Sequence, residues 1–206
     1  MMTLAIDIND VIRDNIRQFI TYYKKGVDPK CELKYEDVTD SNFENIFPFL
    51  NGEGNPDQEL YNQFRYEDYA YELYARADVM ERVLPVTFNL WVQNTLRDFD
   101  DGNNPDVIIV SPFEMNLTIQ STLSFLARIG VRTREFYFPI DSQRIWDKCD
   151  VLITANPDLI KNKPEGKIVI KINTPYNKEV EADYTFNTLC ELINDEKKTV
   201  VKLLDK

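Results

Sequence analysis

The chain has 206 residues, 43% hydrophobic and 29% charged, with a formal net charge of −11 and no histidine. That length and balance suit one domain, or one domain carrying an insert, with a core large enough to need neither disulfide nor metal. The negative charge repels nucleic-acid polymers and anionic membrane surfaces, and the missing histidine removes Ser-His and Cys-His catalysis together with histidine-ligated metal. Cys31, Cys149 and Cys190 are odd in number and widely spaced, which fits reduced cysteines in a cytoplasmic protein better than a disulfide framework. No apolar run approaches ~18 residues and no basic-then-apolar leader opens the chain, so neither a membrane span nor a signal peptide is expected.

In chain order, the first apolar run is residues 3 to 8, which ends at Asp7 and reads as a strand. The stretch from 20 to 78 breaks the rhythm: it is long, interrupted by Asn51-Gly52-Glu53-Gly54-Asn55-Pro56, and dense in aromatics. Between Phe43 and Tyr74 lie Phe43, Phe47, Phe49, Tyr61, Phe64, Tyr66, Tyr69, Tyr71 and Tyr74. Most of these are expected to form the core of a helical insert, because aromatics contribute large buried areas; one or two facing a cleft would stack a planar ligand. Phe88, Val92, Leu96 and Phe99 then recur at helical spacing after Pro85, and residues 100 to 105 form a turn-rich connector. Strands are expected at 106 to 110, 135 to 138, 150 to 154 and 167 to 172. A second helix is expected from Ile119, Leu123, Leu126 and Ile129, ending at Gly130. The alternation predicts an α/β fold with a five-stranded parallel sheet between helices. The tail from Asn194 reads as a terminal helix or strand, or as fraying.

In such sheets ligands gather at the carboxyl ends of the strands, here Asp7 and Asn9, Ser111, and Thr154 to Asn156. An aspartate on the first strand, a hydroxyl ending the second, and a basic residue before the fourth resemble the haloacid dehalogenase (HAD) superfamily of phosphohydrolases. The resemblance is nearer to the 5'-nucleotidase and 5'(3')-deoxyribonucleotidase branch. It is carried by Val107 to Ser111, Phe125 to Gly130, Phe136 to Pro139, Asp150 to Ile153, Asn156-Pro157-Asp158, and the turn Asn173-Thr174-Pro175-Tyr176-Asn177. It implies a HAD-like Rossmannoid core of three layers, residues 1–19 and 79–206, with residues 20–78 as a helical cap inserted after the first strand. It also implies that Asp7 matches the nucleophile forming an aspartyl phosphate, that Ser111 holds a phosphate oxygen, and that Arg144, or Lys148 nearby, replaces the lysine between nucleophile and phosphate. The partner would be a phosphorylated small molecule, with a nucleotide the natural choice, and the cofactor would be magnesium. The candidate metal donors are Asp7, Asn156 and Asp158.

Departures from the family pattern carry as much information. Asn9 stands where the family has the aspartate that protonates the leaving group, and an amide cannot do so; losing such a group costs ~10²- to 10⁴-fold in rate. Thr154 and Ala155 stand where the family has acids for magnesium, which favours one or two carboxylates. Asp150 cannot replace them, because four strand residues at ~3.3 Å each place it about 13 Å from the carboxyl end. Asp10 takes a position usually held by a small residue and is expected to point away from Asp7. Three readings follow: a HAD-like protein with a weak or inactive site that still binds a phosphorylated ligand; an active magnesium-dependent phosphomonoesterase using Asp7; or a structural or interaction protein.

Overall fold

The computed structural model describes residues 2–82, 84–95, 106–112, 114–115, 117–133 and 135–204. Leu4, Ala5 and Ile6 lose all solvent contact because β1 (Thr3–Asp7) lies inside a sheet covered on both faces, the setting in which a strand reads as a continuous apolar run. The other strands are β2 (Asp106–Val110), β3 (Glu135–Tyr137), β4 (Val151–Thr154), β5 (Ile168–Ile172) and β6 (Tyr184–Phe186). They form one sheet in the order β3-β2-β1-β4-β5-β6, with every neighbouring pair parallel. The sheet thus has six strands where sequence predicts five. The extra strand is three residues long, more exposed than its neighbour, and follows the polar stretch Lys178 to Asp183, so it carries no apolar run to announce it.

The helices are α1 (Asn15–Gly26), α2 (Gln58–Gln63), α3 (Leu84–Leu90), α4 (Leu117–Arg128), α5 (Pro157–Lys161), α6 (Leu189–Ile193) and α7 (Thr199–Leu204). On one face of the sheet, Ile6, Ile109 and Ile153 pack with Phe88 of α3, Phe125 of α4 and residues of α6 and α7. On the other, Ala5, Leu152 and Val169 pack with Ile145, Trp146 and Leu159 of α5. The result is the expected α/β three-layer arrangement. Phe88 and Val92 are buried on the sheet as predicted; Leu96, Phe99 and the connector 100–105 lie outside the described residues.

Of the apolar face expected for α4, Leu126 and Ile129 are buried on the sheet but Leu123 is not. Leu123 of α4 is 40% exposed, whereas Thr118, Thr122 and Phe125 are buried. The polar Thr122 takes an inside position because its hydroxyl joins a buried network described below. The helix ends as predicted at Gly130, whose φ of +71° suits a residue without a Cβ.

Between β1 and β2 the chain builds a second, separate core. Phe43, Phe47, Phe49, Tyr61, Phe64 and Tyr74 are buried in it, as most of the nine aromatics were expected to be, together with Ile16, Phe19 and Tyr23 of α1. Phe19 touches the rings of Phe43, Phe47, Phe49, Tyr61 and Phe64 at centroid separations between 4.8 and 6.4 Å, the offset and edge-on range that aromatic pairs favour. The chain leaves and re-enters the sheet layer at adjacent points, where Asp14 N–H donates to the Asp78 carbonyl and Met80 N–H to the Ile12 carbonyl. Those two strands of backbone fix the insert above the carboxyl end of β1.

Candidate functional site

The carboxyl end of β1 turns sharply. Ile12 and Arg13 N–H groups both donate to the Ile8 carbonyl, and Asp10 adopts φ +55°, a left-handed conformation that aspartate tolerates better than most residues. Asp10 is held there by its own side chain: Oδ1 accepts from the N–H groups of Asn15 and Ile16 at the start of α1, at 2.9 and 3.0 Å, and Oδ2 accepts from the Tyr176 hydroxyl at 2.9 Å. These bonds satisfy two amides that open α1 without helical partners. Tyr176 is aimed by Asn177, whose amide donates to the carbonyls of Ala155 and Ile172, 2.8 Å each, and so ties the ends of β4 and β5 together.

Asp7 is 1% exposed. Its Oδ2 accepts from the Thr154 hydroxyl at 2.7 Å, and Oδ1 accepts from the Asn9 N–H at 3.3 Å. Thr154 faces it because β1 and β4 pair Ile6 with Ile153, so the next residues stand side by side. Burial pushes the Asp7 carboxyl up to about 6, against the opposing Thr154 and Asn9 hydrogen bonds and the Arg13 charge. Burial likewise pushes Asp10 up to about 7, opposed by its bonds from Ile16 and Tyr176. Neither carboxylate has an ion-pair partner among the described residues.

Asn9 belongs to a buried polar network that sequence reasoning missed. Its Oδ1 accepts from Arg13 Nε and Nη2 at 3.2 and 2.6 Å, and its Nδ2 donates to Ser111 Oγ at 3.2 Å. Ser111 Oγ donates to Glu114 Oε1 at 2.8 Å, Glu114 pairs with Arg13 at 2.9 Å, and Thr122 Oγ1 bonds both. Arg13 is fully buried, with its guanidinium 4.6 Å from the Tyr74 ring centroid. The fork geometry of a guanidinium allows it to grip the Asn9 oxygen and Glu114 together. The sequence signal was present but faint: Arg13 lies four residues after Asn9, and Glu114 three after Ser111.

None of the predicted phosphate-binding residues lines the cleft that holds Asp7. Ser111 is 0% exposed and bonded on both sides, Arg144 is exposed on the 3-10 turn Ser142–Asp147, and Lys148 is exposed with its ammonium 5.7 Å from the Tyr137 ring. Asp150 lies at the opposite end of β4, as expected, bonded to the Thr3 N–H and Lys167. Asp7, Asn9, Asp10, Asn156, Asp158 and Tyr176 do share one cleft of about 500 Å³, lined on its other side by Phe43, Tyr61, Arg65 and Tyr66 of the insert. Asp10 therefore fronts the same space as Asp7, although its oxygens are turned onto α1 and Tyr176. A volume of this order suits a small molecule.

The fold has solved counterparts. A haloacid dehalogenase-like hydrolase from Burkholderia xenovorans LB400 matches with a TM-score of 0.55 at 11% identity, covering 96% of this chain and 97% of the other. The HAD-hydrolase YfnB of Bacillus subtilis, in a form bound to magnesium, matches with a TM-score of 0.55 at 13% identity over 100% and 99% of the two chains. A dehalogenase matches at 0.52 and 13% identity over 93% and 95%. The fold is that of the HAD-like hydrolases. No family model matches the chain, and neither does any curated protein.

On this HAD-like fold the donors for a divalent ion are few. The Asp7 oxygen that faces β4 is taken by the Thr154 hydroxyl, Ala155 supplies no side-chain donor, and Asn156 Oδ1 caps α5 by accepting from Asp158 and Leu159 N–H groups. Asp158 is exposed in the first turn of α5. Among the described residues no three acids, cysteines or histidines cluster as a metal site. Magnesium takes one or two carboxylates with several waters; of the predicted donors Asp7 and Asp158 line the cleft, while the Asn156 side-chain oxygen is used as the α5 cap. Among the described residues no helix is long and apolar enough to cross a membrane.

Proposed function

We propose that this chain is a HAD-fold protein of the nucleotidase type that binds a phosphorylated small molecule, a nucleotide foremost, in the cleft beneath its cap, and hydrolyses it slowly or not at all. The observation that carries this reading is the pair of bonds at the end of β1: Thr154 donates to Asp7 at 2.7 Å, and Arg13 holds the Asn9 oxygen at 2.6 Å. A nucleophile needs a lone pair directed at phosphorus, and a general acid needs a proton to give. One Asp7 oxygen is engaged by a hydroxyl instead, and the amide at Asn9 is locked into a structural network. Retained binding is supported by the cleft itself, which keeps aromatic rings, amides and one guanidinium around a ligand-sized volume.

The reading is tested by rebuilding the missing acids. Wild type and an Asn9→Asp, Thr154→Asp, Ala155→Asp variant are assayed with magnesium and an aryl phosphate, with thermal unfolding as a check on folding. Wild type is expected to stay at background while the folded variant gains ~10²-fold or more. Robust wild-type turnover that depends on magnesium and vanishes in Asp7→Asn would overturn the proposal.

A further inference from the structure

The charges lining the cleft are arranged in two layers. Asp7, Asp10 and Asp158 lie on the sheet side and Glu44 on the insert, while Arg65 is the single cation among the described lining residues. An anion placed at the end of β1 would meet two buried carboxylates with no lysine among the described lining residues to offset them, and like charges at close range disfavour binding. Arg65 offers the opposite environment. It donates from Nε to the Tyr74 hydroxyl at 2.6 Å and from Nη1 to the Tyr61 hydroxyl at 3.1 Å, and its guanidinium carbon is 5.0 Å from the Tyr66 ring centroid. Among the described residues no carboxylate pairs with it. Two phenols and a ring thus hold a guanidinium in a fixed orientation beside the cleft. A pre-ordered fork of this kind loses little entropy when it takes up a phosphate.

We infer that the ligand's phosphate docks on Arg65 of the insert, while the rest of the ligand extends along the cleft toward the end of β1. The ligand then lies the other way round from a phosphatase substrate. This inference rests on the reading that the cleft takes a phosphorylated small molecule, and it names where the phosphate goes. It agrees with the placement of Ser111, Arg144 and Lys148, none of which lines the cleft.

The test compares a nucleoside monophosphate with its parent nucleoside by calorimetry, using wild type, Arg65→Gln, Arg65→Lys and Asp7→Asn. Wild type is expected to prefer the monophosphate by about tenfold or more, and Arg65→Gln to bring that ratio near one, as loss of a charge-assisted fork should. Asp7→Asn should weaken both ligands alike and leave the ratio standing. Arg65→Lys keeps the charge with minimal change to the insert, and should lower the ratio by about threefold or more because the fork is gone. A ratio unchanged in both Arg65 variants, or raised tenfold in Asp7→Asn, would overturn the inference while leaving the binding function intact. No binding of either ligand to wild type would remove the proposed function and this inference together.

Discussion

At the end of β1 the side-chain oxygens of Asp7 and Asn9 bond to other parts of the protein, whereas on the insert side of the cleft Arg65 is held in place by neutral phenols with no ion-pair partner among the described residues. Polar groups that face each other inside a protein satisfy each other and cease to be available to a ligand. A charge stabilised only by neutral acceptors keeps its appetite for an anion. On the proposed reading, the phosphate binds away from the residues that the strand-end pattern points to.

The two regions should also fail differently when cut. Arg13→Met leaves Glu114 buried with its partner gone, and breaking a buried pair costs about 3–5 kcal/mol. Denaturant unfolding should register that loss, and adding Glu114→Leu should recover much of it; a single variant within about 1 kcal/mol of wild type would deny the network its structural role. Phe19→Ala removes the ring at the centre of the insert's aromatic core and should cost a comparable amount, about 3–5 kcal/mol. Its loss should be seen first in hydrogen exchange of the insert, with the sheet still protected. Equal loss of protection in both would mean the insert and sheet unfold as one unit.

Smaller changes sharpen the account of the end of β1. Thr154→Val takes a donor from a buried carboxylate and should cost about 1–3 kcal/mol while raising the Asp7 carboxyl further above 6. A carbon-13 titration of Asp7 that is unmoved in this variant would show the hydroxyl is not its partner. For Asp10 the sign follows from its raised carboxyl. The folded state binds a proton that the unfolded state releases near 3.8, so its contribution is full below that pH and is lost as pH rises through about 7. The unfolding free energy of Asp10→Asn should therefore improve relative to wild type between pH 4 and pH 8. A difference that stays flat over that range contradicts the burial of Asp10 as an ionisable group.

How much of this the sequence disclosed depends on how local each signal is. Val107 to Val110 and Val151 to Ile153 are apolar runs bounded by turn residues, and buried parallel strands leave that mark. Asp7, Asn9, Ser111 and Asn156 could be placed at strand ends for the same reason. Arg13 could not be read in this way, because its partners Glu114 and Thr122 are 101 and 109 residues away. A lone arginine after Val11-Ile12 looks like the polar start of a helix. The spacing of Arg144 from Asp150 along the chain points to a phosphate contact, but which way a side chain leaves a 3-10 turn is set by packing against the sheet, and Arg144 is exposed. Leu123 was misplaced because apolar periodicity alone could not reveal that Thr122 has a buried partner. The role of Arg65 depends on the insert folding back over β1, which no local pattern encodes.

We propose that the end of β1 holds its own residues and does not transfer phosphate. The direct measurement is steady-state hydrolysis of a phosphate monoester by wild type and Asp7→Asn, side by side, with saturating magnesium. Both are predicted to show the same background rate. Turnover by wild type at about 1 s⁻¹ or faster, in the ordinary range of enzymes, and its loss in Asp7→Asn would contradict the claim.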